Sequence, residues 1–528
     1  MVRKTNAPAA AGLVLGIDVG GTNTDAVLMS GREVLASAKR TTTAEVGDGL
    51  VAVVDALLLD AKVAPQSIGS VMIGTTQFIN AFVQRRGLSR VAAVRVSAPK
   101  GDGVPPFAAW PRDLLAETGD AGYFAQGGAF FDGKEYAALD PRELERIALD
   151  IRAKGILAVA VSSCFAPARP DIEREAARIL GEAHPEADIT LSAEVGGLGL
   201  VDRENAAIMN GTLRAMARRV VDGLSQGLRR VGVSCPVFFS QNDGTLVSAD
   251  FASRFPVITC SAGPTNSLRG AAFLTGLEDA LVMDIGGTTT DLGFLVHGFP
   301  RESALPREIG GVLTNSHMPD LLSIALGGGT LVRESETGLK LGPDSVGYQL
   351  TERALVFGGS ELTATDIAVR AGQARIGDPA RVSSVSGAVV ERAIGLMHAR
   401  IEDAIDRMKT NSKPVPVILV GGGHILLGRP LRGTLEVHRP RHAEVANAVG
   451  AAIAMVSGRV DRLYDYSSGR EAALQQAKDE ASQAARAAGA DPATVSIVEI
   501  AELPMTHIRT NLVHVRVRAV GELATLRN

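Results

Sequence analysis

Apolar runs and glycine turns alternate along this chain, and one arrangement of them occurs twice. Leu15–Leu28 reads LGIDVGGTNTDAVL, and Leu281–Phe294 reads LVMDIGGTTTDLGF. Each copy holds D-x-G-G-T-x-T-D, from Asp18 to Asp25 and from Asp284 to Asp291, with one apolar run entering and another leaving. A buried run, a Gly-Gly turn and a return run predict a β-hairpin. The duplication predicts two similar lobes that face one ligand. A third element, Pro416–Val420 followed by Gly421, Gly422 and Gly423, predicts a buried strand that ends in a glycine turn.

Elsewhere the apolar period is helical. Asp140–Lys154 and Asp171–Glu182 flank a strand-like run at Ile156–Val161, a β/α scaffold pattern. A helix is expected to start near Asp202 as its N-cap. Two segments rich in small residues fit bridges between lobes. They are Ala443–Val456, with Ala446, Gly450, Ala451 and Ala454, and more weakly Ser267–Leu274, with Gly270 and Ala271. After Val460, Ser467–Ala488 reads as an amphipathic helix, and Val495–Ile500 and Leu512–Val520 as strands, the second with Arg516 and Arg518 turned outward. This small α/β appendage is expected to cover an edge of the second lobe or to meet a partner subunit.

The duplicated turn carries its own chemistry. Glycines let backbone N–H groups approach an anion closely. Threonine hydroxyls add donors, and an aspartate on the entering strand offers oxygen to a hard cation such as Mg²⁺. Asp18 and Asp284 are therefore the candidate catalytic and metal-holding residues. Gly20, Gly21, Thr22, Asn23 and Thr24, with Gly286, Gly287, Thr288 and Thr289, are the candidate phosphate grip. Asp25 and Asp291, on the return strands, are expected to brace the hairpins.

Composition narrows the setting. A chain of 528 residues exceeds one core, so two or three domains are expected. The formal net charge of -4 and an aromatic content of 4% give no basic or base-stacking surface, so neither nucleic acid nor an anionic membrane is an expected partner. No signal peptide or membrane-length apolar run is read, and Cys164, Cys235 and Cys260 are sparse and unpaired in spacing, which predicts a cytoplasmic protein. Cys260 reads as a core residue, and no histidine cluster has zinc spacing. His317 and His424 stand in loops beside the motifs, and His438 and His442 before the bridging helix.

The two hairpins resemble the phosphate motifs of the actin, sugar-kinase and heat-shock-chaperone superfamily. That resemblance implies an α/β fold with two ribonuclease H-like lobes, mixed sheets around an ATP cleft, and Gly421–Gly423 receiving adenosine. Further segments are similar to the hydantoinase A and 5-oxoprolinase branch. They are Gly74-Thr75-Thr76 with Asn80, Leu191–Gly197 with Asp202–Asn205, Gly327–Thr330, Gly342–Ser345 and Thr363–Asp366, in that order. The chain departs from the branch at Leu322, where a histidine usually stands, and in the turn Ser261–Asn266.

The resemblance implies a first lobe over residues 13–255, a second over 256–460 and an appendage over 461–528. It implies ATP and Mg²⁺ as cofactors, a separate hydantoinase B-like subunit as partner, and ATP-dependent ring opening of a cyclic amide such as a hydantoin or 5-oxoproline. Thr75, Thr76 and Asn80 are candidate substrate residues. Arg203, Glu204 and Asn205 read either as substrate residues at the cleft or as a solvated group. Other activities stay open within the superfamily: the ATP-using subunit of a ketone carboxylase, a small-molecule kinase, or an ATP-dependent activator of another protein.

Overall fold

The computed structural model describes residues 12–524, apart from 22, 43–45, 304, 317, 336–337 and 505–510. Thr22 and His317 thus lie outside the described residues.

Both repeats fold as hairpins, and in the same register. Leu13–Val19 pairs antiparallel with Asn23–Ser30, placing Asp18 opposite Asp25. Leu281–Ile285 pairs antiparallel with Thr290–Val296, placing Asp284 opposite Asp291. Each hairpin opens a sheet of the same topology. In the first lobe Glu33–Thr41 adds to the return strand, while Ile68–Thr75 and Val237–Ser240 add in parallel on the other side. In the second lobe Leu321–Ile324 takes the place of the third strand, and Val415–Val420 and Thr434–His438 are the two parallel additions. Five strands in order 3-2-1-4-5, the second antiparallel to the first, make the ribonuclease H-like unit, here present twice. The entering strands are apolar on both faces because helices cover both sides.

A four-stranded parallel sheet is inserted into the first lobe. Its order is Asp188–Leu191, Ala158–Ser163, Val91–Ala98, Ala121–Gln126. The helices Pro141–Ala153, capped by the Asp140 carboxylate, and Pro170–Ala183 pack together against it, as the apolar period requires. The 31-residue helix Leu200–Arg230 ties this insertion to the first-lobe sheet. Its N-cap is Gly199, at φ 102°, and Asp202 lies inside the first turn.

The bridging helices are Ala262–Thr275 and Ala446–Ala452, and they cross in direct backbone contact. A Cβ on Gly270 would stand 1.9 Å from the Ala446 carbonyl oxygen, and one on Gly450 would stand 1.8 Å from that of Asn266. Glycine at both positions lets the two backbones meet.

The C-terminal segment corrects its expected position. Met455–Asp465 leaves the second bridging helix, runs through position 460 and pairs with Thr245–Ser248 of the first-lobe sheet. Leu512–Gly521 and then Ser496–Pro504 extend the same sheet to nine strands. The helix Arg470–Ala487 packs on it through Ala473, Ala477, Ala481 and Ala485. Arg518 is not outward. It is buried, 3.1 Å from Glu499 and 5.2 Å from the Phe299 ring centroid, because a second-lobe segment covers that face. From the same segment, Glu302 grips Arg459 at 2.6 Å and lies 3.6 Å from Arg516.

Among the described residues, no helix is long and apolar enough to cross a membrane.

Candidate functional site

The two hairpin turns face each other across one cleft of about 810 Å³. Asp18, Gly20, Gly21 and Asn23 line it from the first lobe, and Asp284, Gly286, Gly287, Thr288 and Thr289 from the second. Gly421, Gly422 and Gly423 complete the second-lobe wall. Thr24 is buried behind its turn and meets the Thr42 hydroxyl at 3.1 Å.

Backbone packing shapes the turns. Each is closed by one bond, from the Gly20 N–H to the Asn23 carbonyl and from the Gly286 N–H to the Thr289 carbonyl. The second has an added brace in Gly327–Gly329. The Gly328 and Gly329 N–H groups donate to the Gly286 and Gly287 carbonyls at 3.0 and 2.7 Å. A Cβ on Gly327 would lie 2.7 Å from the Thr288 nitrogen, so only glycine permits this stacking. Gly421, at φ 80°, presses on Asp284, whose Oδ1 would be 2.3 Å from a Cβ there.

The carboxylates are held differently in the two lobes. The Asn447 amide, from the second bridging helix, donates to both Asp18 and Asp25, at 3.0 and 2.9 Å. Lys39 pairs with Asp25 at 2.5 Å. In the second lobe Ser267 donates to Asp284 at 2.5 Å, and Asp291 faces Ser323. Burial pushes the Asp18 carboxyl up to about 7, with Asp25 and Asp284 adding to it. Burial also raises Asp284, and it raises Asp291 to about 6, with Asp284 contributing. Crowded acids with few cations are a site that lacks positive charge.

That shortfall tests the fit of a divalent cation. Asp18 Oδ1 is buried without a close hydrogen-bond partner among the described residues, with the Asn266 amide beside it and the Asp25 and Asp284 carboxylates adding negative charge. A hard cation fits such a set. No group of three or more His, Cys, Asp or Glu side chains forms a complete cage among the described residues. A cation held by Asp18 and Asp284 would need further oxygen ligands from water or phosphate.

Asp18 also makes a pH prediction. Its folded carboxyl stands above the ordinary 3.8, so the folded protein holds this proton more tightly than the unfolded chain. That contribution is fully present below about pH 4 and is lost as pH rises through about 7. Asp18→Asn is therefore expected to melt higher than the wild type at pH 8, by on the order of a few kcal/mol in stability. The two should converge near pH 4. Melts at both pH values without nucleotide or divalent cation check this, and an offset independent of pH would remove the argument.

Two family models match the chain. Hydantoinase/oxoprolinase N-terminal region matches residues 14–184, and Hydantoinase/oxoprolinase matches residues 203–377, together more than half its length. The chain belongs to the hydantoinase/oxoprolinase family. Among relatives, it is 25% identical over 238 residues to the acetophenone carboxylase gamma subunit of Aromatoleum aromaticum, covering 43% of this chain and 32% of that one. It is 30% identical over 132 residues to 5-oxoprolinase 1 of Arabidopsis thaliana, covering 25% of this chain and 10% of that one. The chain therefore spans a third or less of the curated relatives it matches. Among solved structures, the ATP-dependent caprolactamase of Pseudomonas jessenii has a TM-score of 0.73 at 19% identity, covering 97% of this chain and 88% of the other. Nucleotide-free acetone carboxylase has a TM-score of 0.69 at 17% identity, covering 98% and 88%. At these identities the likeness establishes the fold.

The family's remaining landmarks divide between cleft and interior. Thr76 and Asn80 line the cleft, while Thr75 is buried and accepts a bond from the Gln77 N–H. Arg203, Glu204 and Asn205 are neither solvated nor on the cleft wall. Glu204 pairs with Arg95 at 2.5 Å, and Arg203 donates to the Ser163 carbonyl at 2.7 Å. Asn205 joins the Trp110 indole to the Leu313 carbonyl. Arg203 and Glu204 knit the inserted sheet to the long helix, and Asn205 ties that helix to Trp110 and Leu313. Cys260 borders the cleft, but burial pushes its thiol up to about 12, which leaves it without nucleophilic character at neutral pH. His424 turns back onto the Gly421 carbonyl at 2.9 Å.

Asn447, Lys39 and Ser267 are site residues that the sequence reading missed. Asn447 and Ser267 fall on the small-residue helices, and a polar side chain amid alanines and glycines was the available signal.

Proposed function

We propose that this chain is an enzyme that uses ATP to open a cyclic amide, such as a hydantoin, 5-oxoproline or related lactam, by phosphorylating the amide oxygen. The observation that carries this is the pair of hairpins in one register, facing each other across a single carboxylate-lined cleft. An amide resists water because nitrogen donates into the carbonyl. Phosphorylation of the oxygen, with loss of the N–H proton, turns that oxygen into a leaving group, so that water can add at the carbon and phosphate can depart. Backbone N–H groups of Gly21 and Gly287 and the Thr288 hydroxyl grip phosphates, Gly20 and Gly286 close the turns that present them, and Gly421–Gly423 receive adenosine. Asp18 and Asp284 would hold Mg²⁺, which supplies charge neutralisation to the transferred phosphoryl group. Residues 13–255 supply the first grip and 256–460 the second, with closure about the crossed helices excluding water. Residues 461–528 stiffen the first lobe, and a separate hydantoinase B-like subunit completes hydrolysis. We place the chain in the cytoplasm.

The similarity to the acetophenone carboxylase gamma subunit over 238 residues favours one second reading, the ATP-using subunit of a ketone carboxylase. Both readings place a carbonyl oxygen at the phosphoryl group. Phosphate release screened against lactams, hydantoins and ketones, with and without bicarbonate, separates them. Lactam-dependent ADP formation without bicarbonate supports ring opening, and turnover that needs both ketone and bicarbonate replaces it with carboxylation. A stable phosphorylated product would point instead to a kinase.

A further inference from the structure

The two bridging helices carry polar side chains where they cross, and each of these lies against a hairpin carboxylate. Ser267, on the first helix, donates to Asp284 of the second lobe at 2.5 Å. The preceding residue, Asn266, turns to the first lobe, where its amide nitrogen lies beside Asp18 Oδ1. Asn266 is fully buried, and neither polar atom of its side chain makes a close hydrogen bond among the described residues. A buried amide left that way is costly, and in a native fold it calls for a reason. Gly74 makes the approach possible. It is paired in register with Asp18, and a Cβ there would lie 2.3 Å from the Asn266 nitrogen and 2.5 Å from Asp18 Oδ1. From the second helix, the Asn447 amide bridges Asp18 and Asp25. Its oxygen accepts from the Ala448 N–H at 2.9 Å, which fixes the direction of the amide.

We infer that Asn266, Ser267 and Asn447 are positioning residues through which the helix crossing sets the spacing of Asp18 and Asp284, and with it the affinity for a divalent cation. The inference rests on the nucleotide reading above. The residues that hold the carboxylates are the residues of the crossing or their neighbours. Gly450 packs on the Asn266 carbonyl, and Gly270 packs on that of Ala446, next to Asn447. Asp18 and Asp284 act on each other as like charges, and Asp25 adds to the repulsion on Asp18. Carboxylates in that position turn apart unless donors hold them. Adjacent residues of one helix here meet one carboxylate from each lobe, so a single rigid element references both. Hydrogen bonds of this outer kind orient the ligands of a cation, and losing one typically costs about 10–100-fold in affinity.

Two affinities of the full chain test this. One is for Mn²⁺ with the non-hydrolysable analogue AMPPNP present, read by electron paramagnetic resonance. The other is for AMPPNP alone in EDTA, read by calorimetry. Ser267→Ala and Asn447→Ala are each expected to weaken Mn²⁺ binding by about 10–100-fold. Affinity for metal-free AMPPNP is expected to stay at the wild-type value, since the glycine turns keep their closing bonds. That split separates positioning from general damage to the fold, which would weaken both. Ser267→Ala deletes one oxygen at a helix position that alanine favours, so it carries the test should Asn447→Ala fail to fold. Unchanged Mn²⁺ affinity in folded Ser267→Ala, or a parallel loss of both affinities, overturns the inference. Wild-type protein that binds AMPPNP but no Mn²⁺ also overturns it and leaves the nucleotide reading intact. Wild-type protein that binds neither removes the nucleotide reading itself.

Discussion

Asp284→Asn is expected to lower ATP turnover by about a thousandfold or more while leaving the protein folded and no less stable. The asparagine oxygen can still accept from Ser267, which is 2.5 Å from the native carboxylate, so the local geometry persists. What goes is negative charge at the point where Gly421 and the second turn converge. In the free protein that charge is a burden, since burial holds the Asp284 carboxyl above its ordinary value. Removing it relieves the fold and removes a candidate cation ligand together, the usual opposition between site and stability. Turnover assays and thermal melts on the same preparation test both halves. Wild-type turnover in a folded variant would strip Asp284 of its role, whereas a large loss of stability would make it a structural residue.

The hairpins were legible because their information is local. Strand, turn and return strand sit within fourteen residues of each copy, and the shared register of Asp18 with Asp25 and Asp284 with Asp291 follows from equal spacing. The bridging helices were legible for a related reason, because glycine at Gly270 and Gly450 weakens an isolated helix and is of use only where another backbone packs against it. Partners drawn from afar were not legible. Asn447 meets Asp18 across 429 positions of sequence, and nothing in either neighbourhood names the other. Arg203 and Glu204 misled because charge on a helix usually means solvent. Here an inserted sheet supplies Arg95 and Ser162 to bury that charge. The C-terminal strands were recognised as strands, but the sheet edge they join depends on where the second bridging helix releases the chain.

Gly450→Ala is expected to destabilise the protein by about 3 kcal/mol or more, an unusual cost for one methyl group. The added carbon would lie 1.8 Å from the Asn266 carbonyl oxygen and 2.6 Å from its carbon. These are backbone atoms of a packed helix, which cannot rotate away as a side chain would. The helix Ala446–Ala452 cannot retreat either. On its other side Gly16 of the first hairpin admits it, with the Ala448 carbonyl oxygen 2.3 Å from where a Cβ would stand. Any shift also carries Asn447 away from Asp18 and Asp25, so nucleotide affinity should fall in whatever fraction stays folded. Gly395→Ala is the matched control. It lies on the helix Gly387–Met408 with no neighbour within 4 Å of its added carbon, and alanine there should stabilise by about 0.5–1 kcal/mol. Urea unfolding of both variants, with nucleotide titration of the folded forms, reads the contrast. If Gly450→Ala unfolded at the wild-type midpoint and bound nucleotide normally, the helices would not meet backbone to backbone, and the crossing could not fix the relative position of the two grips.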